Sequence, residues 1–337
     1  MSDEPLVCRT CSEPIDPAHR FCESCGAALS EVKQVAVPRR GLAGDGPCTE
    51  CGNAEHVDDY CAKCGHKRRE PDRDELEVDG IVLISDRGIT HTSNEDAGAA
   101  GTVVGASGGV PLIAAVVCDG VSSAPNSAAA SSAATQVAVT AMLNALGAGK
   151  PAGAAVLAGL TDAAKAAADA RTDPAAIAPS CTFTGVTVVP GADGGIEITS
   201  GNVGDSRAYW LPDPPGEPEQ LTLDDSLSRE LIAAGADPNA DIVKRGEHTL
   251  TRWLGADAEP QPWADDTVKA VTAKGPGTVL LCSDGLWNYL PEAADLAQRC
   301  TGVEPIAAAR ALVEYALQSG GHDNITVVLI PIGGPNA

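Results

Sequence analysis

Four acidic motifs, far apart in the chain, each lie beside a short apolar run: Asn94-Glu95-Asp96, Cys118-Asp119-Gly120, Ser283-Asp284-Gly285 and Asp323-Asn324. Any single Asp-Gly pair is more often a turn than a ligand, so the prediction rests on the whole set. Aspartates at strand ends converge easily, and clustered carboxylates suit oxygen-preferring ions such as Mg²⁺ or Mn²⁺. A pair of such ions can activate water for attack on a phosphate.

Eight of the twelve cysteines form four Cys-x-x-Cys pairs before residue 65. Two such pairs about ten residues apart supply four thiolates, the ligand set that zinc prefers in structural sites. Redox dithiols or disulfides are the alternative, but the regular spacing of all four pairs favours zinc. We predict two structural Zn²⁺ sites, one made by Cys8, Cys11, Cys22 and Cys25 and the other by Cys48, Cys51, Cys61 and Cys64.

The elements that must position the acidic motifs begin near residue 80, as short β-branched runs bounded by turn residues, which predict strands. Residues 125–170 are alanine-rich with a break near residue 150, which predicts two helices, and residues 291–319 predict further helices. The proline-rich run at residues 211–220 predicts a surface hairpin or loop. Blocks of strands with inserted helices indicate an α+β sandwich of sheets flanked by helices.

Changes in composition divide the chain into segments. We predict zinc ribbons at residues 1–29 and 48–66, linkers at 30–47 and 67–79, and from there a larger domain, which the family resemblance described below extends over 80–332 and which leaves a tail at 333–337. The linkers are assigned from a Pro-Arg-Arg and glycine-rich stretch and from a charged run.

The chain is strongly acidic, with 46 Asp and Glu against 23 Lys and Arg and a formal net charge of −23. This charge repels nucleic acid and acidic membrane surfaces, so neither is an expected partner. No run of about 18 apolar residues occurs, and the N-terminus lacks the basic and apolar regions of a signal peptide. We therefore expect a cytoplasmic protein.

The ordered motifs resemble the type 2C protein phosphatases, which belong to the metal-dependent PPM family. The resemblance covers about residues 80–332 and is carried by Gly88 to Asp96, VVCDG, GNVGDSR, LLCSDGLW and HDNITVV. It implies a four-layer α/β/β/α sandwich with a binuclear Mn²⁺ or Mg²⁺ centre between two sheets. It also implies hydrolysis of phosphoserine and phosphothreonine by a bridging hydroxide, with serine/threonine protein kinases or their targets as phosphoprotein substrates.

The resemblance also assigns roles to individual residues. The implied metal ligands are the four aspartates of the acidic motifs and one backbone carbonyl: Asp96, Asp119, Asp284, Asp323 and Gly120. Glu95 is implied to hold metal-bound water.

Several positions depart from the family pattern. His91 stands where many members have an arginine that grips the substrate phosphate, and Arg87 is the nearby substitute. Asp205 matches an aspartate that binds a third metal in many relatives, whereas Asn288 replaces its usual partner. No histidine directly follows Gly120, so water is expected to protonate the leaving group.

The segment from Asp224 to Thr251 corresponds to the variable flap of the family and is expected to tune substrate choice, with His248 as a loop histidine. The net acidic N-terminal region favours protein docking, with a targeting or regulatory role, over nucleic-acid binding.

Two other functions stay open at this point. One is a catalytically weak or inactive phosphatase-fold sensor, whose ribbons recruit a protein or nucleic-acid partner. The other is a phosphatase for anti-sigma antagonist proteins or small phosphoesters. The complete set of carboxylates favours an enzyme over the sensor, whereas His91 and Asn288 leave the sensor open.

Overall fold

The computed structural model describes residues 7–8, 10–15, 21–26, 29–39, 47–48, 50–57, 60–66, 72–105, 109–121, 124, 126–171, 177–191, 194–258, 263 and 267–333. Residues 40–46 and 67–71 of the predicted linkers, and residues 334–337 of the predicted tail, lie outside these ranges.

The strands, numbered along the chain, are β1 (Glu31–Val37), β2 (His56–Val57), β3 (Tyr60–Cys61), β4 (Arg73–Val78), β5 (Ile81–Asp86), β6 (Ala97–Val104), β7 (Leu112–Cys118), β8 (Ser180–Cys181), β9 (Phe183–Pro190), β10 (Ile196–Val203), β11 (Arg207–Pro212), β12 (Glu219–Gln220), β13 (Leu254–Gly255), β14 (Val268–Ala273), β15 (Gly277–Cys282) and β16 (Ile325–Ile332). The helices are α1 (Ser127–Gly147), α2 (Ala152–Asp169), α3 (Leu227–Ala233), α4 (Asp241–Arg245), α5 (Asp284–Trp287), α6 (Ala293–Cys300) and α7 (Pro305–Gln318).

Two six-stranded antiparallel sheets form the centre of the fold. The first has the strand order β1-β6-β7-β9-β10-β14, and the second has the order β12-β11-β15-β16-β5-β4. Short pairs of strands, β2 with β3 and β8 with β13, lie outside these sheets. The proline-rich run predicted as a hairpin or loop connects β11 to its partner β12.

Three apolar layers hold the sheets and helices together. Residues such as Val117, Val186, Leu281 and Val328 fill the space between the two sheets and are fully buried. Helices α1 and α2 cover the outer face of the first sheet, and α6 and α7 cover that of the second. Burial of both faces of each sheet is the main stabilising term for such layers. The predicted α/β/β/α sandwich is confirmed.

The predicted helix pair at residues 125–170 is confirmed as α1 and α2. The break between them has a local cause, because Gly149 adopts a φ of +72° and Pro151 caps the second helix. A left-handed residue followed by proline ends one helix and permits another to start.

The linker interpretation is wrong for two stretches of the N-terminal region. Residues 31–37 form β1, which pairs with β6 from Glu31↔Val104 to Val37↔Gly98, and residues 73–78 form β4, the edge of the second sheet. Charged residues and a proline lie next to these strands, and their linker-like composition masks the strands in the sequence. In β1 only the last residue, Val37, is buried. The strand therefore lacks the regular alternation of buried and exposed side chains by which a strand is predicted from sequence.

An ion pair fastens this N-terminal region to the sandwich. The buried carboxylate of Asp74 accepts hydrogen bonds from the backbone amide of Arg39 at 2.6 Å and from its Nε at 2.8 Å. Charge-assisted pairs of this kind are stronger than neutral ones.

Among the described residues, no helix has both the length and the apolar character needed to cross a bilayer.

Candidate metal centre

The acidic motifs meet at one end of the two facing sheets. Asp96 immediately precedes β6 and Asp119 follows β7, and the pairing of Ala97 with Cys118 places them side by side. Asp284 follows β15, and Asp323 precedes β16. The hydroxyl of Ser283 donates a 2.7 Å hydrogen bond to Asp96 Oδ2, which ties the two sheets together at this end.

Burial and mutual repulsion disfavour the charged forms of these carboxyl groups. Burial, with the nearby charges of Asp323 and Asp284, raises the pKa of Asp96 to about 7. Burial and then the charge of Asp323 raise the pKa of Asp284 to about 6, and burial followed by Asp96 raises that of Asp119 well above its usual range. Bound cations would reverse this cost by neutralising the clustered charge.

The donor set fits divalent ions that prefer oxygen. Within the described part of the chain, the buried oxygens Glu95 Oε2 and Asp284 Oδ1 accept no hydrogen bond. Buried carboxylate oxygens without donors are costly unless a ligand satisfies them. In the described ranges, no three acidic residues each bring a carboxylate oxygen within 4.8 Å of the others, so these groups are more widely spaced than the thiols of the cysteine clusters.

The side chain of Asn324 holds the loop between β5 and β6 at three points. Its Oδ1 accepts a 2.7 Å hydrogen bond from the backbone amide of Glu95, and its Nδ2 donates to the carbonyls of Arg87 at 2.7 Å and Ser93 at 3.0 Å. Asn324 is buried. It therefore fixes the backbone that presents Glu95 and the first acidic motif.

The backbone around Asp119 is fixed by the hydroxyl groups of Thr182, between β8 and β9, and Ser206, which precedes β11. The amide of Asp119 donates to Thr182 Oγ1 at 2.8 Å, and Thr182 Oγ1 in turn lies 2.8 Å from Ser206 Oγ. A Cβ at the next residue, Gly120, would lie 2.7 Å from the carbonyl oxygen of Glu95. Glycine is required there because the two chain segments approach closely.

The two cysteine quartets assemble as predicted. In the first, Cys8 Sγ lies 3.7 Å from Cys25 Sγ, and Cys11 Sγ lies 3.5 Å from Cys22 Sγ. Within each quartet the four sulfurs lie within 4.8 Å of one another, and none of the eight cysteines forms a disulfide. Backbone amides, that of Cys11 first, lower the pKa of Cys8 to about 6, which favours a metal-binding thiolate.

The second quartet repeats this geometry. Cys48 Sγ lies 3.5 Å from Cys64 Sγ, and Cys51 Sγ lies the same distance from Cys61 Sγ. The turn after each second Cys-x-x-Cys pair ends at a glycine with positive φ, +73° at Gly26. Four converging thiols on tight turns are the ligand arrangement of a structural zinc site.

Two known protein families match the chain, one at each of these sites. Residues 89–317 match the family model for Protein phosphatase 2C, and residues 8–65 match that for a Double zinc ribbon. The chain belongs to the protein phosphatase 2C family.

Sequence relatives carry names of the same kind. The chain is 34% identical over 148 residues to Serine/threonine phosphatase stp of Listeria innocua, covering 43% of this chain and 56% of that protein. It is 29% identical over 248 residues to PstP of Mycobacterium tuberculosis, covering 74% of this chain and 44% of that protein. The chain thus spans about half the length of the sequence relatives it matches.

Solved structures match the phosphatase 2C domain over nearly their whole length. The phosphatase MsPP of Mycobacterium smegmatis, in complex with cacodylate, aligns with a TM-score of 0.57 at 27% identity, covering 75% of this chain and 98% of that one. The catalytic domain of PstP, in complex with two manganese ions, aligns with a TM-score of 0.53 at 26% identity, covering 74% and 96%.

The residues predicted to hold phosphate lie beside the acidic cluster of the phosphatase 2C domain. His91 Nε2 is 3.2 Å from Asp323 Oδ1. The Nε of Arg87 donates to Asp72 Oδ1 at 2.9 Å, and its Nη1 donates to the carbonyl of His91. Arg87 thus shapes the loop that carries His91, and His91 is the nearer of the two to a predicted ligand.

Asp205 lies next to the cluster, as its match to the third-metal aspartate predicts. Burial and the charge of Asp284 raise its pKa to about 8, and the indole of Trp287 donates to its carbonyl at 2.9 Å. Asn288 Nδ2 donates to Asp284 Oδ2 at 3.2 Å. The side-chain amide of Asn288, which replaces the carboxylate usual in the family, therefore holds the predicted ligand Asp284 by a hydrogen bond.

The sequence reasoning missed the polar side chains that support the cluster. Asn324 and Ser283 stood inside the quoted motifs, and their positions beside Asp323 and Asp284 were an available signal. Thr182, in contrast, directly precedes the apolar strand β9, and the sequence there gives no sign that its hydroxyl supports Asp119.

Proposed function

We propose that this chain is a metal-dependent protein serine/threonine phosphatase. The observation that carries the proposal is the convergence of Asp96, Asp119, Asp284 and Asp323 at one end of a phosphatase 2C fold, where burial raises the pKa values of the first three. The names of the relatives and the manganese bound to one solved neighbour agree with it. Perturbed carboxyl groups gathered in one place are typical of functional sites.

The residues that would hold two Mn²⁺ or Mg²⁺ ions are those of the converged motifs: Asp96, Asp119, Asp284, Asp323 and the carbonyl of Gly120. When bound, the ions supply Lewis acidity and lower the pKa of an attacking water. The buried Oε2 of Glu95 is placed to accept a hydrogen bond from that water. His91, when protonated, adds positive charge for the substrate phosphate.

A third ion has weaker support in this chain. Asp205 offers a carboxylate close to Asp284, but Asn288 contributes a neutral amide that already donates to Asp284. Two ions are therefore the proposed complement of this centre.

The zinc ribbons are proposed to act as a docking or regulatory module that holds two structural Zn²⁺ ions. Their thiols converge without disulfides, and exposed aromatic side chains, Phe21 and Tyr60, occupy the position before the third cysteine of each quartet. Exposed aromatic residues are favourable anchors for a protein partner. The partners proposed for the catalytic domain are phosphorylated proteins, including kinases or their targets.

The test compares three phosphopeptides of one sequence that carry phosphoserine, phosphothreonine or phosphotyrosine, each with and without added Mn²⁺. We expect phosphate release from the first two only, and only with the metal. Metal-independent release, or faster release from phosphotyrosine, would contradict the proposal. Failure to release phosphate under all conditions would favour the inactive sensor.

A further inference from the structure

Two cavities meet at His248, beside the acidic cluster. One has a volume of about 330 Å³ and the other of about 580 Å³, and the imidazole of His248 lines both. This ring stacks on the indole of Trp287, with centroids 5.9 Å apart and an interplanar angle of 15°. Trp287 lines the larger cavity and belongs to the short helix that begins at Asp284, so this cavity adjoins the candidate metal centre.

The smaller cavity is connected to the centre through its own wall. Val121 directly follows Gly120, and its amide donates to the carbonyl of Ser180 at 2.9 Å. Both residues line the cavity. Gly120 also forms a bridge with Cys181, so this wall and the backbone next to Asp119 are one connected unit.

The lining of the smaller cavity is mainly apolar. Its described lining residues include Val121, Ile177, Leu250 and Trp253, and they contain no lysine or arginine. The single acid among them, Asp257, accepts a 3.2 Å hydrogen bond from the indole of Trp253. Because this bond satisfies the indole N–H, the ring is free to offer its carbon surface to a ligand.

The larger cavity has a different chemistry. It is lined by two arginines, Arg207 and Arg229, together with acidic and hydroxyl side chains. Arg207 is held by Asp224 at 2.7 Å and lies over the Trp287 ring at 3.7 Å. A substrate bound at the metal centre would therefore meet an apolar cavity on one side of His248 and a polar cavity on the other.

We infer that the smaller cavity is a specificity subsite, which takes an apolar side chain next to the phosphorylated residue of the substrate. The inference rests on the proposed function. Its volume accommodates one large aliphatic or aromatic side chain, and its apolar walls favour burial of such a group over a charged one. Ile177, which is 65% exposed at the rim, is the residue that an incoming side chain would cover.

The test uses phosphothreonine peptides that differ only in one residue next to the phosphothreonine, which is leucine, serine or aspartate, placed on either side. The metal-loaded full chain is assayed with these peptides and with p-nitrophenyl phosphate, which has no flanking residue. We expect kcat/KM to be about tenfold higher for the leucine peptide on one side of the phosphothreonine, because one side chain is buried.

The variant Ile177→Asp probes the rim, and Val110→Asp, which places aspartate at an exposed aliphatic residue on the loop between β6 and β7, is the matched control. Ile177→Asp should remove most of the preference for leucine and leave p-nitrophenyl phosphate hydrolysis and the melting temperature unchanged. The control should keep the preference.

Equal kcat/KM for all peptides in an enzyme that hydrolyses p-nitrophenyl phosphate would overturn the subsite and leave the proposed function intact. An equal loss on every substrate in Ile177→Asp would also overturn it. Absence of metal-dependent hydrolysis of any substrate would instead contradict the proposed function, and the subsite with it.

Discussion

Ionisation of several carboxyl groups in the folded protein costs free energy, and bound metal ions would remove that cost. The raised pKa values of Asp96, about 7, Asp205, about 8, and Asp284, about 6, belong to the metal-free protein. In the unfolded chain these groups titrate near pH 4. The folded state therefore binds more protons than the unfolded chain between about pH 4 and pH 8, and the free energy of unfolding falls as pH rises through that window.

Replacing one of these groups should stabilise the metal-free protein. With no added Mn²⁺ or Mg²⁺, we expect the wild type to melt at a lower temperature at pH 8 than at pH 6. Asp119→Asn should show a smaller decrease and gain roughly 1–3 kcal/mol at pH 8, since it removes a buried carboxyl group whose ionisation the folded state disfavours. Thermal unfolding followed by circular dichroism measures this.

The matched control is Asp162→Asn, an exposed acid on α2, which should retain the pH dependence of the wild type. Added Mn²⁺ should raise the melting temperature of the wild type and of the control more than that of Asp119→Asn. An identical pH dependence of the melting temperature in the wild type, Asp119→Asn and Asp162→Asn would contradict the prediction that the carboxyl group of Asp119 destabilises the metal-free protein at high pH.

Asn324 is the residue whose loss should disturb the centre without removing a ligand. Asn324→Ala deletes three hydrogen bonds and removes the buried side-chain partner of backbone groups in Arg87, Ser93 and Glu95. We expect a cost of about 2–4 kcal/mol in the free energy of unfolding, measured by urea denaturation. Asn239→Ala, an exposed asparagine in the flap, should cost less than about 1 kcal/mol, and an equal cost would contradict the role given to Asn324.

At the scale of elements, β1, β4 and the ion pair between Arg39 and Asp74 make residues 31–39 and 73–78 part of the sandwich. Asp74→Ala should destabilise the protein by about 1–3 kcal/mol, because it leaves the Arg39 amide without its buried acceptor. Lys33→Ala breaks the more exposed pair with Asp79 and should cost less than about 1 kcal/mol. Urea denaturation of the two variants compares these costs, and equal costs would contradict the buried ion pair.

The elements also show what sequence can and cannot predict. Both long helices followed from an alanine-rich stretch with a Gly-Lys-Pro break, because propensity and breakers act locally. Strand β1 could not be predicted in this way, because it forms by pairing with β6, whose residues lie more than 60 positions further along the chain. Likewise the aspartates were predicted from ordered motifs, whereas the supporting hydroxyl of Thr182 depends on a fold that brings β8 and β9 beside Asp119.

At the scale of the whole molecule, the two ribbons should hold zinc independently of each other and of the acidic cluster. Metal analysis of the purified full chain should find two zinc atoms, and Cys48→Ser should reduce the count to one, because each quartet is complete in itself. Cys300→Ser, at a buried cysteine outside both quartets, is the control and should keep two. One zinc or none in the wild type would contradict the assignment.

The central claim is that the acidic cluster performs metal-dependent phosphate hydrolysis. The most direct test is the rate of phosphate release from a phosphothreonine peptide at saturating Mn²⁺, measured for the wild type, Asp119→Ala, Asp284→Ala and the exposed control Asp162→Ala. We predict that the wild type and the control turn over equally and that both cluster variants lose more than about 100-fold in rate. Cluster variants that retained the rate of the wild type would place the chemistry elsewhere and contradict the claim.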